Sequence, residues 1–316
     1  MAKVIPSIQM VLEMYSKIAA VERLRQGGKP GEKTVKNSIV SVKRVCELGG
    51  ISLDEPVSSL TRKRLTKIID AARADGLKSV TVWSYLQALK AVVAHWTRPY
   101  YADLKWLIPP IEIPRCVRGA PRYVRPDKAV LAKVKEWYGM LVERQDAREW
   151  MVATLMLEFA MRNSDVARLR WADFREKEGT ILLCYTPHKT ALSSGRRVAW
   201  PVHPDIWSRL CQLREAGIPF NLRKGWGKNE ARDAQLVVPC ASDVFARLNK
   251  DLRVSKIFTG SKALYELRKI CIDHVYQKFG AEMASSISGD DIRTMMHYYA
   301  DPSQPNIGNV RILDLL

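Results

Sequence analysis

The sequence offers little with which to build a disulfide scaffold or a metal centre. Its six cysteines, Cys46, Cys116, Cys184, Cys211, Cys240 and Cys271, are scattered, and no two form a Cys-x-x-Cys pair. That spacing fits neither a zinc site nor a small disulfide framework, so reduced thiols in a cytosolic protein are expected. No apolar run reaches the ~18 residues that a membrane helix needs. The early apolar stretch is broken by Pro6, Glu13 and Lys17, which is not a signal-peptide pattern. The expectation is a soluble, cytoplasmic chain with no membrane contact. There is no internal repeat and no low-complexity tract. No group of carboxylates shows metal-binding spacing, so neither a metal nor a cofactor is expected. Negative charge is also scarce: 33 Asp and Glu face 51 Lys and Arg, a formal net charge of +18. Such an excess favours a polyanionic partner, and nucleic acid is the commonest one.

What is present divides the chain. Residues 1–120 carry 20 Lys and Arg against 10 Asp and Glu, and the other 196 residues carry 31 against 23. The first segment is the more basic per residue and would grip phosphates by counterion release. It reads as four amphipathic helices. The first runs from about Val4 to Arg25 and is followed by the break Gly27-Gly28-Lys29-Pro30-Gly31. The second sets Val35, Ile39, Val42 and Cys46 on one face and ends at Gly49-Gly50. The third spans about Thr61 to Ala74. The fourth aligns Val82, Leu86, Leu89, Val93 and Trp96. Four such helices with short connections form a small bundle over 1–108. Residues 109–126 are then rich in proline and arginine and read as a basic linker.

The second segment, 127–300, mixes types. Helices are expected at about 127–143, 147–161, 204–215, 241–250, 262–279 and 290–299. Two strands, Thr180–Tyr185 and Arg197–Val202, are expected to form a hairpin around a loop containing Ser193-Ser194-Gly195. A tail from 301 ends in the apolar residues Ile312, Leu313, Leu315 and Leu316.

Four stretches carry chemistry. The first is Arg162-Asn163-Ser164-Asp165, followed by Leu169-Arg170-Trp171; Ser164 is a candidate N-cap for a short helix with Asp165 in its first turn. The second is His188-Lys189-Thr190, eight residues before Arg197-Val198-Ala199-Trp200-Pro201. A Lys-Thr pair in a loop is by itself an ordinary solvated lysine. The third is Tyr265-Glu266-Leu267-Arg268 at the start of a helix. The fourth is Ser288-Gly289-Asp290-Asp291-Ile292-Arg293-Thr294, which leads to His297-Tyr298-Tyr299.

In this order the four stretches resemble the active-site boxes of the tyrosine recombinase (phage integrase) family. The resemblance implies a mainly α fold with a small β-sheet: a helical core-binding (SAM-like) domain followed by a mixed α+β catalytic domain, the two forming a clamp on DNA. It implies Arg162 and Arg268 as the paired arginines, Lys189 as general acid and Tyr298 as nucleophile, with Tyr299 as the fallback. Tyr265 stands where histidine is usual, and Gly289 where histidine or tryptophan is usual. Ser288, Asp290 or His297 could serve in place of Gly289, the first two if the loop shifts by one residue.

The chemistry suits these residue types. Guanidinium donates paired hydrogen bonds to a phosphate and stays charged. A phenol with an ordinary pKa of about 10 needs nearby positive charge to become a nucleophile. The function implied is site-specific DNA recombination or integration through a 3′-phosphotyrosyl intermediate. The partners implied are double-stranded DNA and further copies of the chain, a tetramer on two DNA sites, with the apolar tail at 301–316 docking on a neighbouring protomer. Three alternatives stay open: a catalytically impaired DNA-binding homologue of the same fold, a type IB topoisomerase-like nicking-closing enzyme, and a helical transcription regulator whose arginines only contact phosphate.

Overall fold

The computed structural model describes residues 4–25, 31–94, 106, 111–114, 123–191, 195–217 and 235–299. The expected linker at 109–126 lies largely outside these residues, as do the tail at 301–316 and the serines of the Ser193-Ser194-Gly195 loop. The chain divides into two compact units, Met1–Pro121 and Arg122–Leu316.

The first unit is built from α1 (Ile8–Arg25), α2 (Glu32–Leu48), α3 (Arg62–Ala74) and α4 (Ser79–Ala94). In α2 the buried positions Val35, Ser38, Val42, Val45 and Cys46 recur every three or four residues, which sets one face inward. Thr61 caps α3 by accepting a hydrogen bond from the Arg64 amide at 3.3 Å. Beyond it, Leu65, Ile68, Ile69 and Ala72 turn toward the core. On α4 the apolar stripe runs Val82, Leu86, Leu89 and Val92. Its continuation at Val93 and Trp96 lies outside the described side chains. Trp106, Ile111 and Ile113 pack against this core, so the unit's packing reaches Ile113.

The second unit is organised around a buried helix. Its elements begin with α5 (Lys128–Leu141), α6 (Arg148–Leu157) and the one-turn helix α7 (Asn163–Val166). The sheet comprises β1 (Phe174–Lys177), β2 (Thr180–Tyr185) and β3 (Val198–Pro201), with a second one-turn helix, α8 (His188–Ala191), between β2 and β3. Then come α9 (Pro204–Glu215), α10 (Ala241–Val254), α11 (Ala263–Ser288) and α12 (Ile292–Tyr299). Every residue of α6 is buried. Its apolar run suits the centre of a core rather than a surface stripe. The polar residues at its start are matched in pairs. Arg144 joins Glu149 at 2.8 Å and Asp251 at 2.7 Å, and the Trp137 indole also donates to Asp251. These bonds tie α5, α6 and α10 together.

The sheet is antiparallel, in the order β1-β2-β3, with Leu183 opposite both Phe174 and Trp200. Phe174, Leu183, Tyr185 and Val198 are its buried positions. The expected hairpin is therefore three-stranded. The added strand Phe174-Arg175-Glu176-Lys177 has a single buried side chain, so it carries no apolar alternation to reveal it. The helix expected to end at 279 turns there but does not stop. Gly280 adopts φ 83 and ψ 179, kinking the chain before helix resumes to Ser288. Glycine adopts that conformation without the steric penalty that a Cβ imposes.

Candidate active site

The site begins at the joint between α6 and α7. Ala160 sits there at φ 48, a left-handed conformation that a non-glycine residue adopts at a cost of about 1–2 kcal/mol. The strained turn aims the Ala160 carbonyl at Arg268, which donates to it through Nη1. Arg162 follows in extended backbone and occupies the N-cap position of α7, so the expected cap residue, Ser164, lies inside the turn instead. The Arg162 side chain is buried. Its Nη2 donates to Asp290, and its Nη1 lies 3.6 Å from the Asp165 carboxylate, with no hydrogen-bond partner among the described residues. Asp165 also reaches the next box, where its Oδ1 accepts the His188 amide at 2.8 Å. One carboxylate therefore faces the first arginine and fixes the backbone that carries Lys189.

Arg268 rises from the first turns of α11 and is fully buried. Its Nη2 donates to the Ser288 carbonyl at 3.2 Å and to the Asp290 carboxylate at 2.6 Å. Its Nε is buried and has no hydrogen-bond partner among the described residues. Tyr265, one turn earlier, lies with its ring 5.9 Å from the guanidinium carbon. Burial alone pulls the guanidinium pKa down, but Asp290, then Tyr265 and Tyr185, outweigh it and leave the value raised. Arg268 is thus a permanent buried cation.

Asp290 is a residue that the sequence pattern only grazes. It bridges both arginines, one oxygen to each. The short connection between α11 and α12 is built to hold it. The Asp290 amide donates to Ser288 Oγ at 3.1 Å, and its carbonyl accepts from Ser285 Oγ at 2.7 Å and from Arg196 at 3.3 Å. Arg196 also donates to Ser285 Oγ at 2.7 Å. Gly289 ends α11 at φ 65, and its amide donates to the Ser285 carbonyl at 3.0 Å. A Cβ at this position would come within 2.6 Å of Pro187. The glycine thus serves the tight turn, and its neighbour reaches the arginines.

The remaining expected residues are placed as follows. Lys189 is exposed on α8, a single helical turn rather than the open loop that was expected. Tyr265 is half-buried against the core of the unit. Tyr298 and Tyr299 both lie on α12, whose Met295 is buried against α11 residues Cys271, Ile272 and Val275. The side chains of His297, Tyr298 and Tyr299 lie outside the described residues.

Tyr185 was missed by motif reasoning. Burial, and then the Asp165 charge, push its phenol above the ordinary range, while Arg268 and Arg162 pull the other way. Its hydroxyl is buried and has no hydrogen-bond partner among the described residues. The signal was its place two residues after Leu183, on the inward face of a strand leading to Lys189. Glu158, at the end of α6, is pushed up to about 7 by burial. No three His, Cys, Asp or Glu side chains among the described residues could hold a metal ion. No described helix is long and apolar enough to cross a membrane.

The fold that carries this site is a helical bundle followed by a unit in which a buried helix packs with a three-stranded antiparallel sheet. Solved structures with that fold match over nearly the whole chain. A lambda integrase fragment, residues 75–356, bound as a dimer to a core site is 16% identical, with a TM-score of 0.63 over 96% of this chain and 98% of that one. The integrase of transposon Tn1549 in complex with transposon right-end DNA is 14% identical, with a TM-score of 0.61 over 93% and 95%. The XerH site-specific recombinase bound to its difH substrate is 12% identical, with a TM-score of 0.60 over 94% and 95%. The likeness is one of fold. No family model matches the sequence, and no curated protein matches it either.

Proposed function

We propose that this chain is a site-specific DNA recombinase or integrase that cuts and rejoins strands through a 3′-phosphotyrosyl link. The observation that carries the reading is the pair of buried guanidiniums, Arg162 and Arg268, converging on one anion. Two adjacent buried cations would repel one another. They are stable together only around a shared negative group, and a phosphodiester is such a group with two oxygens to offer. The DNA-bound neighbours of like fold and the net charge of +18 support the same partner.

In this reading Arg162 and Arg268 bind the non-bridging oxygens and stabilise the extra negative charge of the transition state. Tyr298 attacks phosphorus, its phenol proton passing to solvent. The new O–P bond replaces the bond to the 5′ oxygen, and Lys189 supplies the proton that the leaving 5′ oxygen takes up. A 5′ hydroxyl of a partner strand then reverses these steps at the phosphotyrosine, so the ester's energy is conserved and no nucleotide cofactor enters. Tyr265 packs beside Arg268 and Asp165 beside Arg162, both as positioning residues. Assembly would be a tetramer on two DNA sites, with the apolar tail docking on a neighbour. The cytoplasm is the compartment in which such DNA is met.

The test uses nicked suicide duplexes with randomised arms, scored for protein–DNA adducts that survive denaturant. Wild-type protein is expected to form adducts, Tyr298→Phe none, and Arg162→Ala roughly 10²–10³-fold fewer. If Tyr299→Phe abolishes the adduct while Tyr298→Phe keeps it, the nucleophile is one residue later. DNA binding without any adduct would leave a catalytically impaired homologue and overturn the enzymatic reading.

A further inference from the structure

The anion between the two arginines belongs to the protein itself. We propose that Asp290 is an internal competitor for the phosphate seat, a carboxylate that a DNA phosphate must displace before the arginines can act on it. The inference rests on the proposed role of Arg162 and Arg268 as the phosphate-binding pair.

Three observations carry it. The first is geometric. Asp290 offers one oxygen to Arg162 and the other to Arg268, the same two-pronged engagement that the non-bridging oxygens of a phosphodiester would make. The second is electrostatic. Arg162 and Arg268 supply two positive charges to the cluster, and Asp165 and Asp290 supply two negative ones. With Asp290 seated this four-residue cluster sums to zero, while Arg196 adds a positive charge at the Asp290 carbonyl, and it has less to offer a phosphate that gains negative charge during reaction. With Asp290 withdrawn it is cationic. The third concerns the remaining donors. Among the described residues, Arg162 Nη1, 3.6 Å from Asp165, and Arg268 Nε have no hydrogen-bond partner, so a ligand with more oxygens than a carboxylate has donors to engage.

The residue is also placed to report its own displacement. Asp290 stands two residues before the start of α12, the helix that carries Tyr298 and Tyr299. Its carbonyl is held by Ser285 and Arg196, and its amide by Ser288. A phosphate that evicts the carboxylate therefore strains the connection leading to the nucleophile helix. Occupancy of the seat and position of the nucleophile are linked through one short segment.

Inorganic sulfate at constant ionic strength is a probe that needs no knowledge of the DNA site. The measurement is the rise in unfolding temperature of the full chain with sulfate concentration. Releasing the arginines from a charge-assisted competitor is expected to lower the half-saturating sulfate concentration roughly tenfold or more in Asp290→Asn and Asp290→Ala. Asp291→Asn removes the same formal charge one residue away and is expected to titrate as wild type. Adding Arg162→Ala to Asp290→Ala is expected to abolish the gain. Folded Asp290 variants that titrate as wild type would overturn the proposal, and so would an equal gain in Asp291→Asn.

If neither Asp290 variant folds, hydrogen exchange of the wild-type amides at 289–292 decides. Faster exchange at saturating sulfate supports displacement, and unchanged exchange refutes it. The suicide-substrate assay separates the two readings. Wild-type adducts without a sulfate gain in the variants sink the competitor alone. A sulfate gain without wild-type adducts keeps the competitor and sinks the recombinase.

Discussion

Glu158 is a carboxyl group in the wrong surroundings, and the consequence can be worked out. It lies at the end of α6, buried, and its Oε1 has no hydrogen-bond partner among the described residues. Burial raises its pKa from 4.5 to about 7. Below about pH 4.5 the group is protonated in both folded and unfolded chains and adds no penalty. From there to about pH 7 the unfolded chain releases a proton that the folded chain keeps, so stability falls as pH rises. Above about pH 7 both states are ionised, and the folded state carries the full cost, about 3 kcal/mol at 1.36 kcal/mol per pH unit. Glu158→Gln removes the titration. Urea denaturation of both proteins is therefore expected to give nearly equal stabilities near pH 4.5. By about pH 8 the variant is expected to lead by about 3 kcal/mol, the full cost of the ionised carboxylate that the amide does not carry. A difference that stays flat between those pH values would refute the reasoning, since only an ionising group produces the slope.

Further outcomes follow from the same contacts. Gly289→Ala places a Cβ within 2.6 Å of Pro187 on a backbone at φ 65. Overpacking and conformational strain together should cost about 2–4 kcal/mol in thermal or urea unfolding. Pro187→Ala in the same chain should recover the steric part, and strictly additive losses would show that the clash is not the cause. Arg268→Met strips the fully buried cation from Asp290 and leaves the Ala160 and Ser288 carbonyls without their donor. A loss of about 3–5 kcal/mol is expected from urea titration, and a loss below about 1 kcal/mol would mean that the pair is not buried in solution.

Most of the helical framework was legible because periodicity and caps agree. Thr61 and Asp127 cap α3 and α5, each with a side-chain oxygen on the amide three residues on, the local rule that sequence reading uses. β2 was legible from its run of Ile, Leu, Leu and Tyr. β1 was not, because a strand with one inward residue is held by ladder pairing with β2 and not by its own pattern. The kink at Gly280 was read as an end because glycine marks both. Whether helix resumes is decided by packing: Ala284 and Ile287 are buried in a cluster with Ala160 of the α6–α7 joint and Met295 of α12.

In the candidate site the sequence names the two arginines as a pair and Asp290 only as a stand-in for Gly289, and the reason is physical. Arg162 and Arg268 sit inside patterned stretches, Arg162 at the N-cap of α7 and Arg268 in the first turns of α11. Asp290 acquires its meaning only from two partners 128 and 22 residues away, and from a turn that sets its direction. That turn depends on Gly289, whose missing Cβ lets the chain close against Pro187. By register alone, Gly289 falls where a phosphate donor would stand and looks like a vacancy. In three dimensions the turn it permits delivers the adjacent carboxylate onto both arginines. An aspartate in a loop is ordinary as sequence. It becomes informative when it faces two buried guanidiniums, because such a pair is unstable without an anion.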